Sequence, residues 1–383
     1  MLCIKNARVV PVTGAVLEKG DILINQGKIV KIGANLSHEG CEVMDASGLT
    51  ALPGLIDTHT HIGGFDPLSS EAMDLNEMTD PITPHMRGID GIDISSENFK
   101  AAVKAGVTAV CITPGSGNVI AGHAFATKTY GKNIYDMALK SPCQLKIAFG
   151  GNPKGVYGTK GKAPMTRMGI ASMMRDTFKK AKDYMEKKEA AGDDKSKVPP
   201  YDQKLEAIIP VLKQEISLKI HCEQFDMLTA MGIAKEFGCK FTIDHAWLAY
   251  EHYDDLVAGG GSIMFGPIGI PNGYGEIIGA DVFCVNELDK RGLNVTLVTD
   301  APVYSIDNLI VMAGEAVRWG TPHDRALRMI TINGAKALGL EDRIGSLEEG
   351  KDADIALFDA MPALDTRASV VCTIVDGNVV YRK

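Results

Sequence analysis

The chain has 383 residues, of which 45% are hydrophobic and 23% are charged, and its formal net charge is −8. This composition is typical of a globular protein, and the length accommodates an α/β barrel of ~250 residues together with a smaller domain. The acidic balance, and the lack of an apolar run approaching ~20 residues, argue against nucleic-acid and membrane partners. The first residues lack a signal-peptide signature, and the eight cysteines are scattered singly, as in a reduced cytoplasmic protein.

Both ends of the chain are predicted to be β-structure. The N-terminal strand candidates are residues 3–10, 20–24 and 28–33, and the C-terminal ones are residues 353–358, 370–375 and 378–381. Glycine and asparagine turns separate them, and Asp376-Gly377 is typical of a hairpin turn. Neither end has enough strands for a stable sheet of its own. We therefore expect residues 1–52 and 344–383 to form one small β-sandwich domain together.

The middle of the chain, residues 53–343, alternates short apolar strands with helix-like stretches. The strand candidates are residues 55–60, 107–112, 123–129, 144–149, 217–222, 240–244, 261–265 and 294–299. The helix candidates are residues 97–105, 170–191, 203–214, 225–237, 276–291, 307–319 and 322–338. Eight strand-and-helix steps with nearly continuous apolar strands are typical of a parallel barrel. We therefore predict an α/β fold whose main domain is a (β/α)8 TIM-like barrel.

The first barrel strand ends in a histidine pair, His59 and His61. Side chains alternate between the two faces of a strand, so residues two apart point the same way. Two imidazoles on one face can both reach a single divalent cation. A signature of three residues is short, and two ordinary buried or surface histidines are an equally good interpretation of this pair taken alone.

Three further residues strengthen the metal interpretation. His221, His245 and Asp300 each follow an apolar strand candidate. Active sites of (β/α)8 barrels lie at the C-terminal ends of the strands, so these residues and the histidine pair are predicted to meet at one rim. Imidazole and carboxylate groups are common ligands of zinc. Four histidines and one aspartate at one rim therefore predict a metal site.

These residues and the sequence around them resemble the amidohydrolase superfamily of metal-dependent hydrolases. The resemblance rests on residues 53–61, on His221, His245 and Thr299-Asp300, and on the run at residues 344–354. Within the superfamily, the chain is most similar to the imidazolonepropionase-like and dipeptidase-like branches. The resemblance implies one or two divalent metals, most often zinc, with His59, His61, His221, His245 and Asp300 as ligands.

The number of metals depends on a bridging ligand. In superfamily members with two metals, a carboxylated lysine or a glutamate from a middle strand bridges the ions. Lys146 is the best candidate here, although a lysine that reaches from a strand end to water is an equally good interpretation. Lys128, on the predicted third strand, is a weaker alternative. Gly151 occupies the position at which the resemblance leads us to expect a glutamate.

The resemblance also implies a mechanism. A metal-activated water attacks the substrate, and Asp300 takes the proton of the water and passes it to the leaving nitrogen. His245 either ligates a second metal or stabilises the oxyanion. Asp57 lies on the same strand face as His59, where it either orients an imidazole or has a structural capping role.

The loops are expected to set specificity. The loop at about residues 62–96 is long for a barrel connection, and it carries Glu71 and Arg87. Arg87 either clamps a substrate carboxylate or forms a salt bridge. His123 is a candidate substrate-binding residue, with an ordinary loop histidine as the alternative. The Gly/Pro-rich loop at residues 266–273 is a candidate for closing over the site.

The sequence thus predicts a cytoplasmic homo-oligomeric enzyme that acts on a small molecule. The first hypothesis is a metal-dependent hydrolase of a C–N bond in a cyclic amide or small amide, similar to imidazolonepropionase. The alternatives are a dipeptidase or hydantoinase-like enzyme with two metals, a deaminase of the same fold, and a non-catalytic scaffold. The metal count separates the first two hypotheses, and metal content separates an enzyme from a scaffold.

Overall fold

The structure is a computed structural model that describes residues 1–65, 73–222, 225–268 and 281–383. Its strands are β1 Leu2–Val9, β2 Leu17–Asn25, β3 Lys28–Gly33, β4 Glu42–Asp45, β5 Thr50–Pro53, β6 Leu55–Thr60, β7 Val107–Ile112, β8 Ile120–Lys128, β9 Ala138–Ala148, β10 Ser217–Cys222, β11 Phe241–His245, β12 Ser262–Phe265, β13 Val295–Leu297, β14 Ile355–Phe358, β15 Val370–Val375 and β16 Asn378–Arg382. Its α-helices are α1 Glu97–Lys104, α2 Ile134–Met137, α3 Gly151–Gly158, α4 Arg167–Ala191, α5 Gln203–Glu206, α6 Ile209–Leu212, α7 Met227–Glu236, α8 Tyr253–Gly259, α9 Cys284–Lys290, α10 Leu309–Arg318, α11 His323–Met329 and α12 Ile332–Leu338. Short 3-10 turns lie at Gly88–Gly91, Ala249–His252 and Ile306–Asn308.

Strands from both ends of the chain form one sheet, which we call the terminal sheet. Its order is β16-β15-β14-β5-β1-β2-β3, and β4 pairs with β1. The prediction that the two termini build a β-structure together is confirmed, because β14 from the C-terminal segment pairs antiparallel with β5 from the N-terminal one. Hydrogen bonds join these strands into a single sheet, whose apolar core includes Ile4, Ile22, Ile355 and Ile374.

The remaining strands form the barrel sheet, in the order β6 through β13. Its two edges approach each other through a bridge between Thr60 and Ala301, and the Asp300 N–H donates to the His59 carbonyl at 3.1 Å. The predicted TIM-like barrel is therefore confirmed as a nearly closed barrel of eight strands. Strands β6 and β7 are buried along their whole length, and β7 is correspondingly apolar on both faces apart from Thr108.

One strand departs from the predicted parallel barrel. The third strand, β8, runs antiparallel to both β7 and β9. A parallel neighbour requires a crossover of a dozen or more residues, whereas antiparallel neighbours are joined by short turns. The connections on either side of β8, residues 113–119 and 129–137, are too short for a crossover. The predicted pattern of eight identical β/α steps is wrong at this strand.

The direction of β8 also corrects the interpretation of Lys128. Because β8 is reversed, its C-terminal residue lies at the end of the barrel opposite the rim. There the Lys128 ammonium is buried, 2.9 Å from a carboxylate oxygen of Asp352 and 2.9 Å from one of Asp376, and it also pairs with Asp354. Lys128 therefore contributes to the contact between the barrel and the terminal sheet and does not reach the rim.

Several predicted helices are divided in the structure. The helix predicted at residues 203–214 is split into α5 and α6, because Pro210 has no N–H to continue the ladder of helical hydrogen bonds. The helix predicted at 322–338 is interrupted at Thr331, whose hydroxyl donates to the Leu327 carbonyl at 2.6 Å. Part of the helix predicted at 276–291 lies outside the described residues. Among the described residues, no helix combines the length and the apolarity needed to cross a membrane.

Candidate metal centre

The five residues predicted to meet at the rim do come together. His59 lies on β6, His221 on β10 and His245 at the end of β11, while His61 directly follows β6 and Asp300 lies three residues after the end of β13. The four histidines are buried, none more than 5% exposed. Neighbouring imidazole centroids lie 4.5–5.2 Å apart. One ligand atom each of His59, His245 and Asp300 lies within 4.8 Å of the other two, so the chain has a possible His/His/Asp metal site.

The backbone turns two of these residues inward at the strand ends. His245 has φ 70° and Asp300 has φ 57°, and both values fall in the left-handed region that residues other than glycine rarely adopt. Such conformations persist where the surrounding structure holds them, and they concentrate at functional sites. Hydrogen bonds to Asp57 hold the backbone just before Asp300 in place. The Asp57 carboxylate accepts from the N–H of Thr299, from the hydroxyl of Thr299 and from the N–H of His59.

This placement decides between the two interpretations of Asp57. Among the described residues, its hydrogen bonds come from backbone N–H groups and from the Thr299 hydroxyl, and none comes from an imidazole. Asp57 is therefore a structural anchor that holds the residue before Asp300 beside His59. Burial raises the pKa of Asp57 to about 7, although its three donors act in the opposite direction.

Three of the histidines share one hydrogen-bond arrangement, in which Nδ1 faces an oxygen that can only accept. The pairs are His59 with Asp244 Oδ2 at 2.6 Å, His61 with the Thr113 carbonyl at 2.7 Å, and His245 with the Gly266 carbonyl at 2.8 Å. Nδ1 therefore carries the proton in each neutral ring, and Nε2 carries a lone pair. This is the common outer-sphere arrangement of metal-ligating histidines.

The Nε2 atoms of His59 and His61 lie close to the carboxylate of Asp300. Asp300 Oδ1 lies 3.0 Å from His61 Nε2 and 3.4 Å from His59 Nε2. With both rings neutral, each of these contacts joins two acceptors, and among the described residues no hydrogen bond reaches Asp300 Oδ1. His221 Nδ1 is likewise buried without a partner within the described part of the chain. A cation supplies the missing positive charge, so this donor set fits a divalent metal.

The electrostatics favour the ligating form of each side chain. Burial lowers the pKa of His59 and His221 well below the ordinary value, and it also lowers that of His245. Neutral imidazole is the form that binds metals. Burial alone would raise the pKa of Asp300, but opposing contributions that include the positive charge of Lys146 outweigh it, so the net shift is downward.

Lys146 reaches the same centre from β9. It is fully buried, and its Nζ lies 3.4 Å from His59 Nε2. The alternative interpretation, a lysine that extends to water, is therefore wrong. Burial lowers the pKa of Lys146 to about 8. Gly151, at the position where a glutamate was expected, begins α3, and the next residue, Asn152, places its Nδ2 3.4 Å from His221 Nε2.

Comparison with known proteins assigns the family. A model described as "Amidohydrolase family" matches residues 221–380. The crystal structure of an amidohydrolase from Thermotoga maritima MSB8 is 36% identical, covers 100% of both chains and superposes with a TM-score of 0.96. The chain belongs to the amidohydrolase superfamily. This confirms the family resemblance of the sequence and places the chain among hydrolytic, metal-dependent enzymes.

Two curated relatives match this amidohydrolase over most of its length. Amidohydrolase TasK of Hapsidospora irregularis is 29% identical over 94% of the chain, which spans 40% of the length of that protein. The imidazolonepropionase of Clostridium tetani is 23% identical, and the match covers 96% of the chain and 92% of that enzyme. The second match is thus nearly full-length on both sides.

The predicted substrate-binding residues of this amidohydrolase occupy different positions. Arg87 lines a cavity of about 320 Å³ next to His61, and its Nε lies 3.5 Å from Asp90 Oδ2, an exposed ion pair. His123 lies on β8 rather than in a loop, its Nε2 contacts the Ala207 carbonyl at 2.8 Å, and it does not line that cavity. His85, which the sequence analysis did not single out, does line it. Glu71 and residues 269–273 lie outside the described residues.

Sequence reasoning missed three residues that surround the histidines. Asp244 accepts from His59, and Lys219 lies 2.8 Å from Asp244. Trp247 is buried and stacks on the His245 ring, with centroids 4.7 Å apart. Asp244 left a signal, because it directly precedes His245 at a strand end. The other two look like an ordinary strand lysine and an ordinary core aromatic residue.

Proposed function

We propose that this amidohydrolase is a metal-dependent enzyme that hydrolyses a C–N bond in a cyclic amide or a small amide, in the manner of imidazolonepropionase. The observation that carries the proposal is the convergence of the Nε2 atoms of His59 and His61 on Asp300 in a buried site that His245 also lines. The nearly full-length similarity to an imidazolonepropionase supports the substrate class. We take zinc as the metal, since histidine and carboxylate ligands suit it.

The residues that would hold the metal are His59, His61, His221, His245 and Asp300, with one or two ions among them. When bound, a divalent cation polarises a carbonyl and makes water nucleophilic near neutral pH. The chain contributes the orientation of four of these ligands. The Nδ1 contacts of His59, His61 and His245 fix the three rings, and the Asp57–Thr299 bonds fix the turn that carries Asp300.

Asp300 is the proposed general base and acid. Its carboxylate lies at the centre of the site and is ionised, because its pKa is shifted downward. It takes a proton from the attacking water and returns it to the leaving nitrogen. His245 is better supported as a ligand than as an oxyanion donor. Its one ring proton is on Nδ1, which donates to Gly266, so Nε2 has no proton to offer.

One observation favours a second candidate, a dipeptidase or hydantoinase-like enzyme with two metals. Lys146 is fully buried with its Nζ at the centre, where a carboxylated lysine would bridge two ions. Two zinc ions per chain, a mass increase of one CO2 on Lys146, and loss of the second ion in Lys146→Ala would establish this candidate. One ion per chain and an unmodified Lys146 would favour the imidazolonepropionase-like enzyme.

Turnover on a substrate panel tests the proposal. The panel contains imidazolones, hydantoins, N-acyl amino acids and dipeptides, and a coupled assay for ammonia detects a deaminase. We expect hydrolysis of a cyclic or small amide by the zinc-loaded protein and no hydrolysis by His59→Ala. His38→Ala is the matched control, since His38 is exposed and lies outside the barrel. Ammonia release without ring opening would replace the proposal with a deaminase, and lack of zinc binding would leave only a scaffold.

A further inference from the structure

A second buried lysine, Lys219, lies in the barrel interior below the candidate metal centre. Lys219 is on β10, two residues before His221, and is completely buried. Its Nζ lies 2.8 Å from Asp244 Oδ2, 2.9 Å from the Thr58 carbonyl and 3.0 Å from Met264 Sδ. Branched apolar side chains dominate the interior layers of such barrels. A lysine in this layer is costly unless it is paired, which calls for an explanation.

The partner of Lys219 is also the partner of a proposed metal ligand. Asp244 Oδ2 accepts from Lys219 Nζ at 2.8 Å and from His59 Nδ1 at 2.6 Å, and Asp244 Oδ1 accepts from the Thr242 hydroxyl at 3.0 Å. All four side chains are buried. A continuous line of contacts therefore runs from Lys219 through Asp244 and the His59 ring to the centre.

Lys146 and Lys219 lie opposite each other on the adjacent strands β9 and β10, but they lie on opposite sides of the His59 imidazole. They pair directly across β9 and β10. Lys146 Nζ lies near Nε2 of His59, whereas Lys219 contacts the aspartate that holds Nδ1. Within the described part of the chain, Lys219 is ion-paired and Lys146 is not. The two lysines therefore have different roles, and Lys219 lies on the side that sets the orientation of the ring.

We propose that Lys219 is a positioning residue for His59. Its charge balances the Asp244 carboxylate inside the barrel and fixes the oxygen that accepts from His59 Nδ1. His59 then presents its Nε2 lone pair to the centre before any metal binds. Removing Lys219 leaves a buried carboxylate whose donors, within the residues that the structure describes, are the Thr242 hydroxyl and the His59 imidazole. This destabilises the arrangement that orients the ring. This inference rests on the proposed function, because it assigns Lys219 to the preorganisation of a metal ligand.

Zinc affinity of the purified protein tests this inference. We would measure the zinc dissociation constant by chelator competition for the wild type, Lys219→Met and Lys128→Met. The last variant is the matched control, a second buried lysine paired with aspartate but remote from the rim. Loss of an outer partner of a metal ligand weakens metal binding by roughly 10–100-fold, and we expect that loss for Lys219→Met. For Lys128→Met we expect a change of less than about twofold, whatever its effect on unfolding.

A rescue variant separates positioning from general destabilisation. In the double variant Lys219→Met/Asp244→Asn, the substituted amide is uncharged, yet its oxygen can still accept from His59 Nδ1. We therefore expect the double variant to recover much of the lost zinc affinity. A second readout is the 15N spectrum of histidine-labelled apo-protein, in which the His59 Nδ1–H tautomer should be lost or mixed in Lys219→Met. If Lys219→Met fails to fold, Lys219→Gln, which keeps a donor, is compared in the same way.

The outcomes separate this inference from the proposed function. Wild-type protein that does not bind zinc would overturn both. Wild-type protein that binds zinc, together with Lys219→Met that binds it equally tightly and keeps the His59 tautomer, would overturn only the role of Lys219. A loss of affinity in Lys219→Met no greater than that in Lys128→Met would overturn it as well.

Discussion

Lys128 and the rim lie at opposite ends of the barrel, and both bring buried polar and charged side chains together. Around Lys128, three cations (Lys128, Lys28 and Arg343) meet three carboxylates (Asp352, Asp354 and Asp376). Each charge has an opposite partner within that cluster. At the rim, by contrast, His59 and His61 turn lone pairs toward the Asp300 carboxylate, and no proton lies between them.

The difference separates a structural cluster from a functional one. The Lys128 cluster is complete as it stands, and it joins the barrel to the terminal sheet. The rim is not complete in this way, because His59 and His61 still turn lone pairs toward the Asp300 carboxylate although the Lys146 ammonium lies beside His59 Nε2. Buried acceptors that face each other raise the free energy of the folded protein, and such costs are retained mainly where function needs them. Substitutions at the two ends should therefore have opposite profiles of activity and stability.

The largest effect is expected at Asp300. Asp300→Asn removes the proposed general base, and we expect turnover to fall by roughly 10³-fold or more. The same change removes a carboxylate that faces two lone pairs, so the melting temperature of the metal-free protein should stay constant or rise. Steady-state kinetics and thermal unfolding of the apo-protein check the two parts. A large drop in apo-protein stability would mean that the rim is a closed structural cluster like that of Lys128.

Lys128→Met should show the opposite profile. It leaves the buried Asp354 carboxylate beside an apolar side chain. Breaking a buried ion pair in this way costs about 3–5 kcal/mol of unfolding free energy. Turnover per folded molecule should be unchanged, since Lys128 is remote from the rim. Urea unfolding and active-site-normalised kinetics measure both quantities. Lys132→Met is the control, because Lys132 is exposed and close in sequence.

Removal of the metal should affect the stability of the wild type but not that of Asp300→Asn. At a free zinc concentration of 100 times the dissociation constant, binding stabilises the folded state by about 2.7 kcal/mol. We expect chelation to lower the wild-type melting temperature by several degrees and to leave that of Asp300→Asn nearly unchanged. Calorimetry with and without chelator gives the answer. Equal shifts in both proteins would place the metal elsewhere.

The smallest effect concerns the terminal sheet and its dependence on pH. Burial alone would raise the pKa of Asp21, but hydrogen bonds from Lys5, Asn6 and Leu36 outweigh it and lower the pKa. A carboxylate with a lowered pKa in the folded state stabilises above its unfolded pKa of ~3.9 and loses that contribution as the pH falls below it.

We therefore expect Asp21→Asn to cost about 1–2 kcal/mol at pH 7, and this cost should shrink between about pH 4 and pH 3. Chemical unfolding of both proteins across this range measures the difference. The turnover of Asp21→Asn at pH 7 should equal that of the wild type, as is expected for Lys128→Met. A difference that stays constant or grows toward low pH would show that the carboxylate is not the stabilising form.

The sequence was sufficient for the barrel strands and for the rim, and the reason is local, whereas β4 and β5 of the terminal sheet were not predicted. The spacing of His59 and His61, and the position of His221 and His245 at strand ends, are properties of single strands. The apolar pattern of β8 does not give its direction, because an apolar strand has the same pattern either way. Only the short connections on both sides of β8, residues 113–119 and 129–137, indicate the reversal. Its reversal is what removed Lys128 from the candidates. Lys219 and Asp244 were missed because their meaning depends on contacts across three strands, from β6 to β11.

The central claim is that the rim lacks only a divalent cation. Zinc titration of the apo-protein, followed by elemental analysis after removal of free metal, tests it most directly. The account requires one or two zinc ions per chain in the wild type and a near-complete loss in the variant His59→Ala/His61→Ala. Wild-type protein that retains no metal, or a double variant that retains as much as the wild type, would contradict it.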